Sequence, residues 1–216
     1  MQYNTLGVRP NRAGQGVIDV DDWAEKICPN HWRNVMTMVR RAELVFESFA
    51  PDEVLQHIKS AKDIVQFRTM RAPPPITDPY YATTRPIPPA KYFGCIAFGC
   101  NVFLRCHTDN DFTLSMAHIL LDGRDCYELD DEIVVYFCFP TLGVAIPMRP
   151  GDFLLFNATL PHCISTRRIA GHKIMCISLF LKTLVVGGNN NSLPTTDAQE
   201  LLSAKYRDMV GLEQIN

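Results

Sequence analysis

No C-x-x-C pair occurs in this sequence, no apolar run is long enough to cross a bilayer, and the two signs of charge nearly cancel. Each absence removes a class of protein. Without cysteines at metal-ligand spacing, zinc-finger and thioredoxin-type chemistry has no support. Without a run of about twenty apolar residues, a membrane-spanning helix is not expected. With 21 Lys and Arg against 23 Asp and Glu, the formal net charge of −2 gives no reason to expect strong non-specific nucleic-acid binding. A specific role stays open, because the charge is unevenly spread. Nine Lys/Arg face six Asp/Glu between Trp32 and Lys91, whereas eight acids and only Arg124 lie between His107 and Glu132. The opening MQYNTLGVRPNRAGQG has no apolar core of a signal peptide, so the expected location is intracellular, cytoplasmic or nuclear. There is no internal repeat, and the acidic run Glu128, Asp130, Asp131, Glu132 lacks an EF-hand pattern and reads as a solvated loop.

Cysteine itself is not scarce. Most of the eight sit inside apolar runs such as CIAFGC and IMCISLF, where a free thiol behaves as a small buried hydrophobe. A disulfide framework is therefore not expected, in keeping with a reducing compartment. At 216 residues, 47% hydrophobic and 20% charged, the chain has the composition of an ordinary globular protein with room for a sizeable core.

Three segments differ in texture. Residues 1–90 read as an extended arm, two supporting helices and a connector. Val35, Met38, Val39, Ala42, Val45, Phe46 and Phe49 recur at helical spacing, and Pro51 opens a second amphipathic stretch through Val54, Leu55, Ile58, Ala61 and Val65. Seven of the fifteen prolines then fall between Pro73 and Pro89, which excludes helix or central strand there. The segment reads as an ordered connector that Tyr80 and Tyr81 could pin.

From residue 91 to 186 short β-rich runs follow one another: KYFGCIAFG, NVFLRCH, FTLSMAHILL, EIVVYFCF, LGVAIPM, DFLLFN, HCIST and HKIMCISLFLK. Asp122-Gly123 and Pro150-Gly151 mark turns between them. Eight strands without intervening helices predict a mainly β fold with N-terminal helices (α+β), its core a sandwich, jelly roll or barrel. Residues 187–216 read as a tail carrying a short helix in TTDAQELLSAKYRDM.

The chemistry lies in two places. In NVFLRCHTDND, strand alternation would put Phe103, Arg105, His107 and Asp109 on one face, so an imidazole and a carboxylate can meet one ion. A second histidine, His162, follows the strand and loop of MRPGDFLLFNATLPHCIS, and a jelly roll can bring it beside the first pair. Two histidines and one carboxylate leave three positions open on an iron. Arg105 would share that face, either contacting co-substrate or substrate or bonded to a buried acid, and Asn101 could line the pocket or serve packing alone. Asp111 reads as a turn acid or as a partner of the metal pair, and His118 as a core or interface histidine.

HTD, followed by RPGDFLLFNATLPHCIS, resembles the signature of the Fe(II)/2-oxoglutarate dioxygenases, over roughly Phe93 to Thr183. The resemblance implies a double-stranded β-helix core in which His107, Asp109 and His162 hold Fe(II). It further implies 2-oxoglutarate and dioxygen as co-substrates and hydroxylation of a substrate C–H bond. A basic residue opening the eighth strand holds the far carboxylate of 2-oxoglutarate in that family. Lys173 stands in the matching place, where Arg is common, and Arg167 or Arg168 could serve instead. The compact core and the HTDNDFT context look most like the TET/JBP branch, which oxidises pyrimidine methyl groups in DNA. A DNA substrate is thus one expectation, with a protein side chain or small metabolite the others. A cupin-like enzyme with another co-substrate and a non-catalytic jelly-roll binding protein are the rival readings.

Overall fold

The structure, a computed structural model, describes residues 4–10, 17–18, 29–65, 67, 69–74, 86–122 and 131–188. Tyr80, Tyr81, Gly123, the acids at 128 and 130, and the expected tail helix at 195–209 lie outside them.

Two helices come first. α1 spans Pro29–Phe49 and α2 spans Asp52–Val65, with Pro51 between them accepting hydrogen bonds from Val54 N–H and Leu55 N–H through its carbonyl. α1 begins five residues before Asn34, where the sequence reading started it. Trp32, on that added turn, is fully buried and extends the apolar stripe through Met36, Val39, Ala42 and Phe46. The opening arm is not merely extended. β1 (Asn4–Gly7) adds an edge strand to the main sheet, and β2 (Arg9–Pro10) pairs with β3 (Val17–Ile18).

Eight strands follow: β4 (Cys95–Cys100), β5 (Phe103–His107), β6 (Ser115–Asp122), β7 (Val135–Phe139), β8 (Val144–Met148), β9 (Phe153–Phe156), β10 (His162–Thr166) and β11 (Lys173–Phe180). They form two antiparallel sheets ordered β1-β4-β11-β6-β9 and β5-β10-β7-β8. The chain crosses between the sheets repeatedly, which winds it as a double-stranded β-helix. All eight expected β runs are strands of this core. α3 (Thr183–Gly188) follows β11 directly.

The large sheet is covered on both faces. One face packs Ile96, Met116, Ile177 and Leu179 against Met36, Val39, Phe46 and Ile58 of the helices. The other packs Ala117, Ile119, Ile174 and Cys176 against Phe137, Val135 and Ile164 of the small sheet. That double burial explains why KIMCISLF reads as a nearly continuous apolar run rather than an alternating one. The small sheet has an open outer face, and there alternation is plain: Val135, Phe137 and Phe139 are buried while Tyr136 is 46% exposed. The six described cysteines are free thiols, as expected.

The connector meets the helices through one buried acid. Glu43 has no exposed surface, and its carboxylate accepts the backbone N–H groups of Lys91 and Tyr92 and pairs with Arg40. The entry to β4 is thereby tied to the middle of α1.

Candidate metal centre

His107 ends β5 and His162 begins β10, and they are register partners across the small sheet. The pairing carries a bulge: His162↔His107 is followed by Ile164↔Leu104, so Cys163 of β10 is matched by two residues of β5, Arg105 and Cys106. The extra residue reverses the facing of the strand end. Leu104 and His107 both line the interior cavity, while Phe103 and Arg105 are exposed. The expectation that Arg105 shares a face with His107 assumed an unbroken alternation, and the bulge corrects it.

Asp109 lies just past the strand, where its N–H donates to the Ala158 carbonyl at 2.8 Å and anchors the loop to the turn before β10. His107, Asp109 and His162 offer ligand atoms that all lie within 4.8 Å of one another. Asp109 Oδ2 is 3.5 Å from His107 Nε2 and 3.8 Å from His162 Nε2.

Hydrogen bonding on the far side of each ring decides what those nitrogens can do. His107 Nδ1 is 2.7 Å from the Arg105 carbonyl oxygen, and His162 Nδ1 is 2.8 Å from that of Leu160. A carbonyl only accepts, so each Nδ1 carries the hydrogen and donates it. In the neutral ring, Nε2 is then left with a bare lone pair. His162 is held neutral: burial pushes its pKa below the usual 6.5, and neighbouring His107 adds to the effect, against the Leu160 carbonyl and the carboxylates. The Nε2 atoms of both rings and a carboxylate oxygen thus converge, with each Nδ1 turned away to a carbonyl. Such a set fits a divalent transition ion, with both donor rings oriented by backbone partners.

Aromatic packing fixes His162 further. Phe137 stacks on it (centroids 5.6 Å apart, 9° between planes) and Phe156 meets it edge-on at 5.2 Å. His162 is 3% exposed, whereas the side chains of His107 and Asp109 are 37% and 38% exposed, so the centre opens toward solvent on the His107–Asp109 side. Behind it lies a cavity of about 370 Å³, walled largely by apolar side chains of both sheets.

Asp111 and Lys182 complete the centre. Lys182 Nζ donates to Asp109 Oδ1 at 2.9 Å and pairs with Asp111 Oδ1 at 2.7 Å. Asp111 is buried and accepts the Ser115 hydroxyl on its Oδ2 at 2.5 Å. Burial pushes the Asp111 carboxyl up, with Lys182 pulling against it. Burial also works against the charge on Lys182, but Asp111 and Asp109 outweigh it and hold the ammonium above its ordinary value. The sequence reading missed Lys182, although Ile174, Cys176, Ser178, Phe180 and Lys182 follow one alternation into the interior.

The other expected residues lie elsewhere. Lys173 is exposed at the start of β11, one step off that inward alternation and opposite Asp122. Arg168 is exposed in the β10–β11 turn. Neither these two nor Arg105 lines the cavity; Lys182 is its one Lys or Arg among the described residues. Asn101 is exposed in the β4–β5 turn at φ 49°, its side-chain oxygen accepting Ile174 N–H at 2.9 Å. His118 is a core histidine, as expected, with Nδ1 3.0 Å from the Asp152 carbonyl and its ring stacked on Phe153 at 3.8 Å. No described helix is long and apolar enough to cross a membrane.

No protein-family model matches this chain, and no curated protein sequence does either. Solved structures do. NgTET1 in complex with 5mC DNA aligns with a TM-score of 0.57 at 12% identity, over 94% of this chain and 69% of that one. The polyketide cyclase RemF from Streptomyces resistomycificus overlaps 41% of this chain (53% of its own) at 12% identity and TM-score 0.28. An RmlC-like cupin protein from Desulfovibrio desulfuricans overlaps 41% (72% of its own) at 16% identity and TM-score 0.26. What the chain shares with NgTET1 is the fold, and within that fold it carries a His/Asp/His donor set suited to a metal ion.

Proposed function

We propose that this protein is a non-haem Fe(II)/2-oxoglutarate dioxygenase, with the methyl group of a modified pyrimidine in DNA as its first candidate substrate. The observation that carries the reading is the convergence of His107 Nε2, His162 Nε2 and Asp109 Oδ2 beside a largely apolar cavity, with both Nδ1 atoms turned to backbone carbonyls. Three protein donors leave coordination positions for a bidentate 2-oxo acid and dioxygen. Bound there, Fe(II) would supply the oxygen activation that couples decarboxylation of 2-oxoglutarate to succinate and CO₂ with insertion of one oxygen atom into a substrate C–H bond. The chain's own part is orientation and shielding: backbone carbonyls hold both imidazoles in the ligating tautomer, Phe137 and Phe156 exclude water from His162, and Asp109 supplies the charge. The DNA substrate draws support from the fold shared with NgTET1, a protein solved with 5mC DNA.

One observation favours a second reading, a cupin-like metal enzyme with another co-substrate. The far carboxylate of 2-oxoglutarate calls for a cation, and Lys173 and Arg168, expected to hold it, stand off the cavity, as does Arg105.

A single experiment separates them. The protein is loaded anaerobically with Fe(II), then given air and 2-oxoglutarate, with and without methylated DNA, and succinate is quantified beside His107→Ala. Succinate from the wild type alone, stimulated by methylated DNA, is the expected result. Tight Fe(II) binding without any succinate would transfer the assignment to the second reading.

A further inference from the structure

Asp109 is a carboxylate with its two oxygens assigned to different partners. Oδ2 faces the two Nε2 atoms, and Oδ1 accepts Lys182 Nζ at 2.9 Å. Lys182 is itself constrained. Its ammonium pairs with buried Asp111 at 2.7 Å and sits 4.7 Å from the Phe180 ring centroid, and Asp111 is held by Ser115. The backbone repeats the link: Asp111 and Lys182 form an isolated β-bridge, Phe112 N–H donates to the Leu181 carbonyl, and Thr183 N–H to that of Asn110. The loop carrying Asp109 is therefore stitched to the end of β11 by main chain and by charge.

We propose that Lys182 is a positioning residue that makes Asp109 a one-oxygen metal ligand, with Asp111 and Ser115 fixing the lysine. This rests on the metal-centre reading above. A free carboxylate can rotate to offer either oxygen or both; one whose Oδ1 is occupied by a held ammonium offers only Oδ2. The device keeps an additional coordination position from being filled by the protein itself. Partners of this kind set both the affinity and the geometry of a metal site.

The sign of the effect separates positioning from plain charge. A cation beside the site repels a dication, so removing it would tighten metal binding if charge were all that mattered. Positioning predicts the opposite.

The test titrates Co(II) into the metal-free full chain and follows its visible absorption bands. Lys182→Met is expected to bind Co(II) about 10–100-fold more weakly, with an altered band pattern. Lys182→Arg should stay close to wild type in both. Because Lys182→Met leaves Asp111 buried without its partner, the double variant Lys182→Met/Asp111→Asn removes both charges together and should show the same altered bands in a folded protein. A role in packing alone would lower the melting temperature and leave the bands unchanged. Unchanged or tightened Co(II) binding in the folded double variant overturns the proposal while leaving the metal centre standing. No Co(II) binding by the wild type overturns both.

Discussion

His107 and His162 face each other across β5 and β10 because a bulge separates their pair from the Leu104–Ile164 pair. Without the additional residue in β5, His107 would point with Phe103 and Arg105 to the outer face of the small sheet. The candidate metal centre thus depends on an irregularity in the strand that carries His107.

Replacing His107 by Ala should remove one ligand and abolish metal-dependent turnover. The side chain is 37% exposed, so folding stability should change by no more than about 0.5 kcal/mol. Succinate release and urea denaturation measure the two effects separately. Full activity in a folded His107→Ala protein would remove it from the ligand set.

Phe137→Ala should do the reverse, with stability suffering first. Phe137 is buried against Phe139, Phe156 and His162, and opening that cluster should cost about 3–5 kcal/mol. In the folded fraction, Co(II) affinity should also fall, because His162 loses the ring stacked on it. A loss under about 1 kcal/mol would mean the cluster collapses around the gap.

Glu43→Ala should uncouple the entry to β4 from α1. It leaves the N–H groups of Lys91 and Tyr92 without their acceptor and Arg40 without its partner, for about 3–5 kcal/mol. The variant should still bind Co(II) once folded, since no part of the centre touches Glu43. Altered Co(II) bands at full stability would contradict this account.

Below neutral pH the metal-free protein should weaken. Burial is the leading cause that lowers the pKa of His57, His118 and His162 below the ordinary 6.5. The unfolded chain then binds protons at a pH where the folded one does not, so stability is full above 6.5 and is lost as pH falls toward the lowered folded values. Each histidine contributes a slope of up to about 1.4 kcal/mol per pH unit while it titrates. Urea midpoints on either side of 6.5 measure the trend, and His118→Gln should flatten part of it. Stability that rises on acidification would refute the direction.

Arg105→Ala, Arg168→Ala and Lys173→Ala should leave Co(II) binding unchanged, and the KM for 2-oxoglutarate as well, because all three side chains are exposed and off the cavity. A KM raised in Lys173→Ala alone would restore that lysine as the holder of the co-substrate's far carboxylate.

Much of this was legible in the residues. The β runs were visible because one-sided burial of the small sheet and two-sided burial of the large one leave local marks: alternation in VYFCF, continuity in KIMCISLF. The donor types in HTD and PHC were legible because few side chains ligate a transition ion. The first turn of α1 was missed because burial of Trp32 depends on what it packs against, not on spacing nearby.

The sequence by itself determined that eight strands form, that they close around an apolar interior, and that two imidazoles and a carboxylate are available at strand ends. These follow from periods and chemistry carried within a few residues. Only the tertiary structure decided which side His107 faces, because a bulge is a property of two paired strands and not of one. It also decided that Lys182, distant in sequence from Asp109, is the cation that reaches it, while Arg105, nearer in sequence, stays outside. Long-range pairing sets such distances, and no local pattern encodes them.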